Sequence, residues 1–581
     1  MALTSALNLA TFGMISTELK VSLASQNITN ADRAGYTRKT YQPGLLTTNV
    51  GTYTIAGDVN NSVNRYMVKE IVNDISLTAA KKMLSDLIGV YGTKIGSLAG
   101  EYSLADSLDR MHTGLSALAV SPEDTAYKTQ VVNDAAAMAG YLNELADTLQ
   151  LQRLAADKEI AGSVDRINES LDKLHDLNEK IVSRGGTTDM DTANYEDQRM
   201  YELQKLSEEI DIRYFFTGDD RVQIYLPSGQ PLLLSQPNHL DFTSATSMNT
   251  STTYPGVLDG VTVNGTDITT NIRSGKLAGL IEVRDSFGVQ EQQKIDELAE
   301  RLMYQTNAAL NQGTVVPPRS QMIGDTEGLG AGTVLGGTGT FRVAVLDTSG
   351  AVVNYADLDL STLPTAGALV AALNGIPGIS ASFTGNGQLQ IDATAAGTGI
   401  AINSNNTSIG TAPNAMGVSH FFGLNNMFKG TSATDIAVSD YLVSIPDHMA
   451  TGQLSMSATL AVGDIGVTPG DGTIAKAVAD SLYASTSFDA AGNFVAQNNN
   501  LMDYTQAYMT NAIFRTDAAT DDYDTASMML QNAQSLLDSE QGVNIDEETA
   551  MLVQLETQYK ASASIISTIQ ELFESLLAAV R

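Results

Sequence analysis

Both ends of the chain carry apolar residues at heptad spacing with almost no charge beside them, and this restricts the fold more than any other feature. Near the start, Leu3, Leu7, Ala10, Met14, Thr17, Val21, Ala24 and Ile28 recur in steps of three and four. Near the end, Leu552, Leu555, Tyr559, Ser562, Ile566, Ile569, Phe573, Leu576 and Val580 do the same. A period of about 3.5 residues keeps one apolar seam on one side of a supercoiling helix. From Leu3 to Ile28 the charged residues are Glu18 and Lys20; between Leu552 and Val580 they are Glu556, Lys560, Glu571 and Glu574. A solvated two-stranded coiled coil flanks its seam with charge. Here Ser, Thr, Ala, Gln and Asn fill the outer faces, which suits contact with neighbouring protein. Two ends that fit each other and further partners point to a self-associating chain. Alone, such helices have little to bury against and are expected to fray.

The 581 residues suffice for about four domains at roughly 150 residues each. A net charge of −33 argues against binding nucleic acid or anionic membranes through phosphate neutralisation. With no Cys, disulfides, thiol catalysis and Cys-ligated metal sites are excluded. No apolar run approaches the ~18 residues of a membrane span. The first residues lack the basic n-region of a secretory signal, so a chain that leaves the cell is expected to do so without a cleaved one.

Between the ends, helical spacing predicts long helices over about 67–118, 122–182, 194–210, 287–310 and 501–537. Arg221 to Leu234 reads as a hairpin around Pro227-Ser228-Gly229, and Val261 to Thr270 adds more strand. From Gly328 the composition shifts to Gly, Thr and Val. A short helix is expected near Ala366–Leu373, then a hairpin of SASFTG and GQLQID about Asn386-Gly387. The expected fold is α+β and multidomain: terminal coiled-coil-like helices, a discontinuous long-helix bundle with a β-hairpin region, and an inserted mostly-β domain. Residues 1–60 with 545–581 form the terminal helical core, 61–324 with 481–544 the helical rod, and 325–480 the insertion.

Catalytic chemistry finds little support. His112, His175, His239, His420 and His448 are scattered, with no metal-ligand spacing. The glycine-rich GLGAGTVLGGTGTF lacks a following Lys-Ser/Thr and leads into a β run rather than a helix, so its glycines read as turns. Asp517, Asp521, Asp522 and Asp524 lack the ligand ladder of a calcium loop and read as a solvated face. No Gly-x-Ser-x-Gly elbow occurs. The 66 carboxylates leave hydrolytic pairs open, and nothing singles one out. No catalytic residue, cofactor or metal is expected.

The segment after the first helix, SQNITNADRAGYTRK, reads physically as a helix stop. Asn27 and Asn30 favour caps and turns, and Gly35 permits a bend before an extended TRKTYQ run. An apolar N-terminal helix followed by Asn27, Asn30, Gly35, Tyr36, Thr37 and Arg38 in this arrangement also resembles the axial proteins of the bacterial flagellum. Within them it is most similar to the hook-associated protein 1 family. Three further stretches carry the same resemblance: YEDQR at Tyr195–Arg199 leading into the hairpin, SGKLAGLIEVRD at Ser274–Asp285, and GVNIDEE at Gly542–Glu548.

The resemblance implies a structural protein without catalysis that joins hook to filament. It implies subunits in a ring, with paired terminal helices innermost (D0-like), rods around them (D1-like) and β domains outward (D2-like). It further implies export without a cleaved signal to an extracellular place in the flagellum, hook protein and hook-associated protein 3 as neighbours, and an export chaperone on the C-terminal helix. Nucleic-acid binding and membrane insertion are not expected. On this reading Leu3, Leu7, Met14, Val21, Ile28, Leu552, Leu555, Tyr559, Ile566, Ile569, Phe573, Leu576 and Val580 line the assembly interface. The alternatives are another axial protein, such as a hook protein or hook-associated protein 3, and a secreted protein with an adhesive or enzymatic β domain.

Overall fold

The computed structural model describes residues 2–33, 35–48, 51–98, 100, 103–184, 190–411 and 414–579. Its helices are α1 (Ala2–Thr29), α2 (Arg65–Ile95), α3 (Leu104–Val120), α4 (Thr125–Ser183), α5 (Met190–Glu209), α6 (Lys276–Ile281), α7 (Gly288–Leu310), α8 (Ala366–Asn374), α9 (Val418–Phe422), α10 (Asp440–Ser444), α11 (Thr473–Ser481), α12 (Leu501–Gln541) and α13 (Ile545–Ala579). The architecture is α+β and multidomain, with long helices and several small antiparallel sheets. The long helices fall where the apolar periodicity puts them, with one exception. The stretch expected over 67–118 is two helices, because the chain leaves α2 after Ile95 and restarts at Ser103. There the Ser103 hydroxyl accepts from the Asp106 amide at 3.1 Å and satisfies an orphan donor of the first turn of α3.

The chain divides into two compact units, Met1–Ile88 with Leu154–Asp285 and Ala518–Arg581, and Gly89–Arg153 with Ser286–Asp517. In the first unit, Ala156, Ile160, Val164, Ile167, Leu171 and Leu174 form the buried stripe of α4, at the three- and four-residue steps that one helix face requires. Its strands are β1 (Lys39–Thr48) and β2 (Gly51–Asn61), a three-stranded sheet of β3 (Arg213–Phe216), β4 (Val222–Tyr225) and β5 (Pro231–Leu233), and a smaller one of β6 (Leu240–Asp241), β7 (Thr262–Val263) and β8 (Thr266–Asp267). The expected 221–234 hairpin is β4–β5, and β3 joins it as a third strand. The extended run after Gly35 goes further than expected, into the antiparallel ladder β1–β2 from Lys39↔Asn61 to Thr48↔Gly51. Its register shifts between Gln42 and Gly44, and Gly57 lies opposite, where an added Cβ would sit 1.8 Å from the Gln42 carbonyl oxygen. Only glycine fits so close a backbone approach.

In the second unit, β10 (Thr340–Asp347) is the middle strand between β11 (Val352–Asp359) and β14 (Thr398–Asn403). A second sheet orders β12 (Ile379–Phe383), β13 (Leu389–Ala393) and β9 (Gln321–Ile323). Phe341, Val343, Val345, Leu369, Leu373, Ile391, Ile400 and Phe422 share one core among these sheets, α8 and α9. The hairpin about Asn386-Gly387 is β12–β13, with Phe383 opposite Leu389. Elsewhere in this unit Glu291 and Lys294 are wholly buried on α7 and pair at 2.7 Å, and Arg515 reaches the same carboxylate at 2.7 Å. Burial lowers the Lys294 amine below its usual range, against the pull of Glu291.

One device recurs in both units. A helix-borne asparagine offers its amide as a strand offers its backbone, donating to a carbonyl and accepting from the N–H of the same residue. Asn168 holds Leu240 at 2.8 Å in both directions, and Asn178 holds Val222 at 2.9 and 3.0 Å. Asn307 holds Phe428 at 2.8 and 3.0 Å, and Asn374 holds Ala381 at 2.9 and 2.7 Å. Each pair satisfies both backbone groups of a strand residue from a neighbouring helix.

Candidate assembly interface at the paired ends

α1 and α13 pack along each other. Ala10, Leu23 and Ala24 of α1 are buried, as are Leu555 (4% exposed) and Ile569 (5%) of α13. Leu3, Leu7, Met14, Val21 and Ile28 are half-buried, and so are Leu552, Ile566 and Phe573. Tyr559 and Leu576 are exposed, and Val580 lies outside the described residues. The approach is close because small residues meet: a Cβ on Gly13 would lie 3.5 Å from the Ser562 hydroxyl. The most buried positions on α1 include Ala10 and Ala24, both in the counted heptad series, whereas its larger apolar members are only half-buried.

The pair leaves much apolar surface open. On α1, Leu9 (65%), Ile15 and Leu19 are exposed; on α13, Val553, Ile565, Leu572 and Leu577 (67%) are exposed. The buried residues of α13 are Glu548, Leu555 and Ile569. A helix of 35 residues with apolar side chains on both faces is thus only partly covered by its own chain.

At the base of the pair a polar node brings together three of the motif stretches. Asn27 does not cap α1 as its type suggests; it lies inside the helix, 1% exposed, and grips the start of β1. Its amide donates to the Lys39 carbonyl at 3.0 Å, and its Oδ1 accepts from the Lys39 amide at 3.1 Å and from the Tyr36 hydroxyl at 2.9 Å. Asn30 lies in the turn that follows, its amide donating to the Gln26 carbonyl at 2.9 Å. Gly35 makes the bend at φ +76°, and a Cβ there would press on Tyr201 at 3.1 Å.

Beyond the bend, Asp197 of the YEDQR stretch collects donors. The Lys39 ammonium, wholly buried, meets Asp197 Oδ2 at 2.5 Å, and the Thr37 hydroxyl donates to Oδ1 at 2.7 Å. The Asn61 amide, at the far end of β2, donates to the same Oδ1 at 3.0 Å. Glu548 of the GVNIDEE stretch accepts from Arg38 Nε at 2.7 Å and from the Asn27 amide at 3.2 Å. That stretch reads physically as a helix start. Asn544 accepts from the Asp546 amide at 3.0 Å, and Asp546, Glu547 and Glu548 place acid at the positive end of the α13 dipole.

Burial dominates the electrostatics of the node. It pushes the Asp197 carboxyl above its ordinary range and the Lys39 amine below, each offset by the other's charge. The Tyr36 phenol is raised to about 12, first by burial and then by Asp197 and Glu548. Two further motif charges are also internal fasteners. Arg199 is 2% exposed and donates to Asp220 Oδ2 at 3.2 Å, while Arg284 is wholly buried between Asp157 at 2.9 Å and Asp285 at 2.7 Å. Tyr36 and Asp197 line one open hollow, and Arg199 and Asp220 another, and the charges of Asp197, Arg199 and Asp220 are already paired within the protein. Among the described residues, no cluster of His, Asp or Glu is arranged to hold a metal ion, and no helix is long and apolar enough to cross a membrane.

The node ties a bent N-terminal segment to the C-terminal helix through a middle helix, beneath two ends with open apolar faces. Residues 95–320 match the model of the flagellar hook-associated protein FlgK helical domain. The chain is 24% identical over 591 aligned positions to flagellar hook-associated protein 1 of Escherichia coli (strain K12), covering 99% of this chain and all of that one. A solved structure, the flagellar hook junction protein FlgK from Burkholderia pseudomallei, is 15% identical with a TM-score of 0.47, covering 81% of this chain and 99% of that one. The class is thus a structural protein of the flagellum rather than an enzyme. Within it, residues 95–320 carry the likeness to the FlgK helical domain, and the chain over its full length is similar to hook-associated protein 1.

Proposed function

We propose that this chain is a structural axial subunit of the bacterial flagellum that forms the junction between hook and filament, assembling through its paired terminal helices. The observation that carries the assembly role is α13. Its own chain buries only Glu548, Leu555 and Ile569, and its open apolar residues lie along nearly its whole length. Open arrays need heterologous contacts, in which one patch of a subunit meets a different patch of the next. A helix pair with low charge and apolar residues on both sides supplies such patches.

In this reading Leu3, Leu7, Met14, Val21, Ile28, Leu552, Leu555, Tyr559, Ile566, Ile569, Phe573 and Leu576 serve the pairing and its contacts with neighbours, and Val580 continues the series. Residues 1–60 with 545–581 act as the inner layer, 61–324 with 481–544 as the rod, and 325–480 as the outward insertion. Hook protein and hook-associated protein 3 are the neighbours along the axis. Before export, an unfolded-chain route without a cleaved signal and a chaperone on α13 fit the same reading.

Cosedimentation with purified hooks tests it. The native chain is expected to pellet with hooks, and Ile566→Asp or Phe573→Asp to stay in the supernatant while residues 154–285 keep their exchange protection. Equal pelleting by the Asp variants would overturn the role given to the ends.

A further inference from the structure

The bonds of the polar node fall into two sets that belong to different helices. The inner set joins the N-terminal segment to α5: Lys39, Thr37 and Asn61 all on Asp197, at 2.5, 2.7 and 3.0 Å, without any atom of α13. The outer set joins the same segment to the C-terminal stretch: Arg38 and Asn27 on Glu548 at 2.7 and 3.2 Å, and the Arg38 amide on the Gln541 carbonyl at 3.0 Å. The two sets also differ in access to water. Lys39 is wholly buried, whereas Arg38 keeps about a quarter of its side chain exposed (27%). Asn27 stands between them. Three of its four bonds, to the Lys39 carbonyl, the Lys39 amide and Tyr36, survive loss of Glu548; the fourth is the bond to Glu548 itself.

We infer that the node is a two-stage latch: the inner set fixes the bend and the start of β1 whether or not α13 is docked, and Glu548 clips α13 on as the releasable element. The order of the stages follows from the bonds. Asp197 bonds Thr37 and Lys39, which flank Arg38, and the Lys39 backbone is bonded in turn by Asn27, whereas no bond runs from Asp197 to Glu548. α13 is therefore free to leave α1 and return without disturbing the register of β1. The consequence for assembly rests on the proposed role of the paired ends: an incoming subunit can open its apolar seam to neighbours while its N-terminal segment stays in place.

The latch is read in the lone full-length chain by hydrogen exchange with mass spectrometry, so its failure is separable from failure to bind hooks. Glu548→Gln is expected to speed exchange across 545–579 by about tenfold, the scale of one lost charge-assisted hydrogen bond, and to leave 39–42 and 160–181 within about twofold of native. Thr37→Val, which removes one inner bond and is mild enough to fold, is expected to speed exchange in both 37–42 and 545–579. Glu548→Gln loosening both segments together, or neither, would overturn the two-stage order. So would Thr37→Val loosening only one of them, or neither.

Discussion

Truncating Asp197 is the sharpest perturbation of the node, and its cost can be set against the cost of removing its partner. In Asp197→Ala the Lys39 ammonium stays wholly buried without its bonded carboxylate, left with the Tyr36 ring at 3.7 Å from the centroid and the field of Glu196. Leaving one charge of a buried pair unpaired costs about 3–5 kcal/mol. The Thr37 hydroxyl and the Asn61 amide also lose their shared acceptor, adding roughly 1–2 kcal/mol in total. In Lys39→Met the carboxylate keeps both of those donors, and burial already favours its taking a proton. That variant is expected to cost about 2–3 kcal/mol less than Asp197→Ala. Native-state hydrogen exchange on peptides from 154–209 reads the first unit by itself, which matters because the two units need not unfold together. A loss below about 1 kcal/mol for Asp197→Ala, or an equal loss for Lys39→Met, would refute the reasoning that Asp197 organises the node.

Other expectations follow from the same physics. Arg284→Ala leaves Asp157, 1% exposed, without its guanidinium and is expected to destabilise the first unit by about 3–5 kcal/mol, read as a lower urea midpoint. Burial lowers the His420 imidazole to about 4, with Nδ1 buried and unpartnered. A depressed His stabilises above its unfolded value and loses that contribution as pH falls through its folded value. His420→Gln is therefore expected to make the second unit less acid-sensitive between pH 6.5 and 4, by about 3 kcal/mol. Asp325, raised by burial to about 6, works in the opposite sense in the same unit, so the comparison is between native chain and variant at each pH. Brief trypsin or subtilisin treatment of the monomer is expected to cut within 2–29 and 545–579 before 154–285, followed by mass spectrometry of the fragments.

Much of the fold was legible from periodicity, because helices such as α4 and α12 bury stripes that recur every three or four residues. The β12–β13 hairpin was legible from Asn386-Gly387 between alternating apolar runs. The β1–β2 ladder was legible only as an extended run after Gly35; Tyr53, Ile55 and Val59 alternate in its second strand, but Gly44, Gly51 and Gly57 interrupt the pattern. The break between α2 and α3 is marked by Gly96, which takes φ +70° directly after α2, and by the capping Ser103, signals that the apolar spacing on either side overrode. At the site, the seam could be counted, Ala10 and Ala24 included, but that these small positions bury more fully than Leu3 or Leu7 follows from how closely two helices approach. The polar node was visible only as separate motifs. Asn27 reads as a cap until the structure shows it acting as a strand, and nothing local to Asp197 or Glu548 reveals that 351 positions of chain separate two acids serving one segment.

Electron microscopy of purified hooks incubated with the native chain tests the central claim most directly. The account predicts an ordered cap on the hook end, with α1 and α13 innermost and packed against the same helices of neighbouring subunits. A chain that leaves the hooks bare, or attaches through residues 321–403 with its terminal helices free, would contradict it.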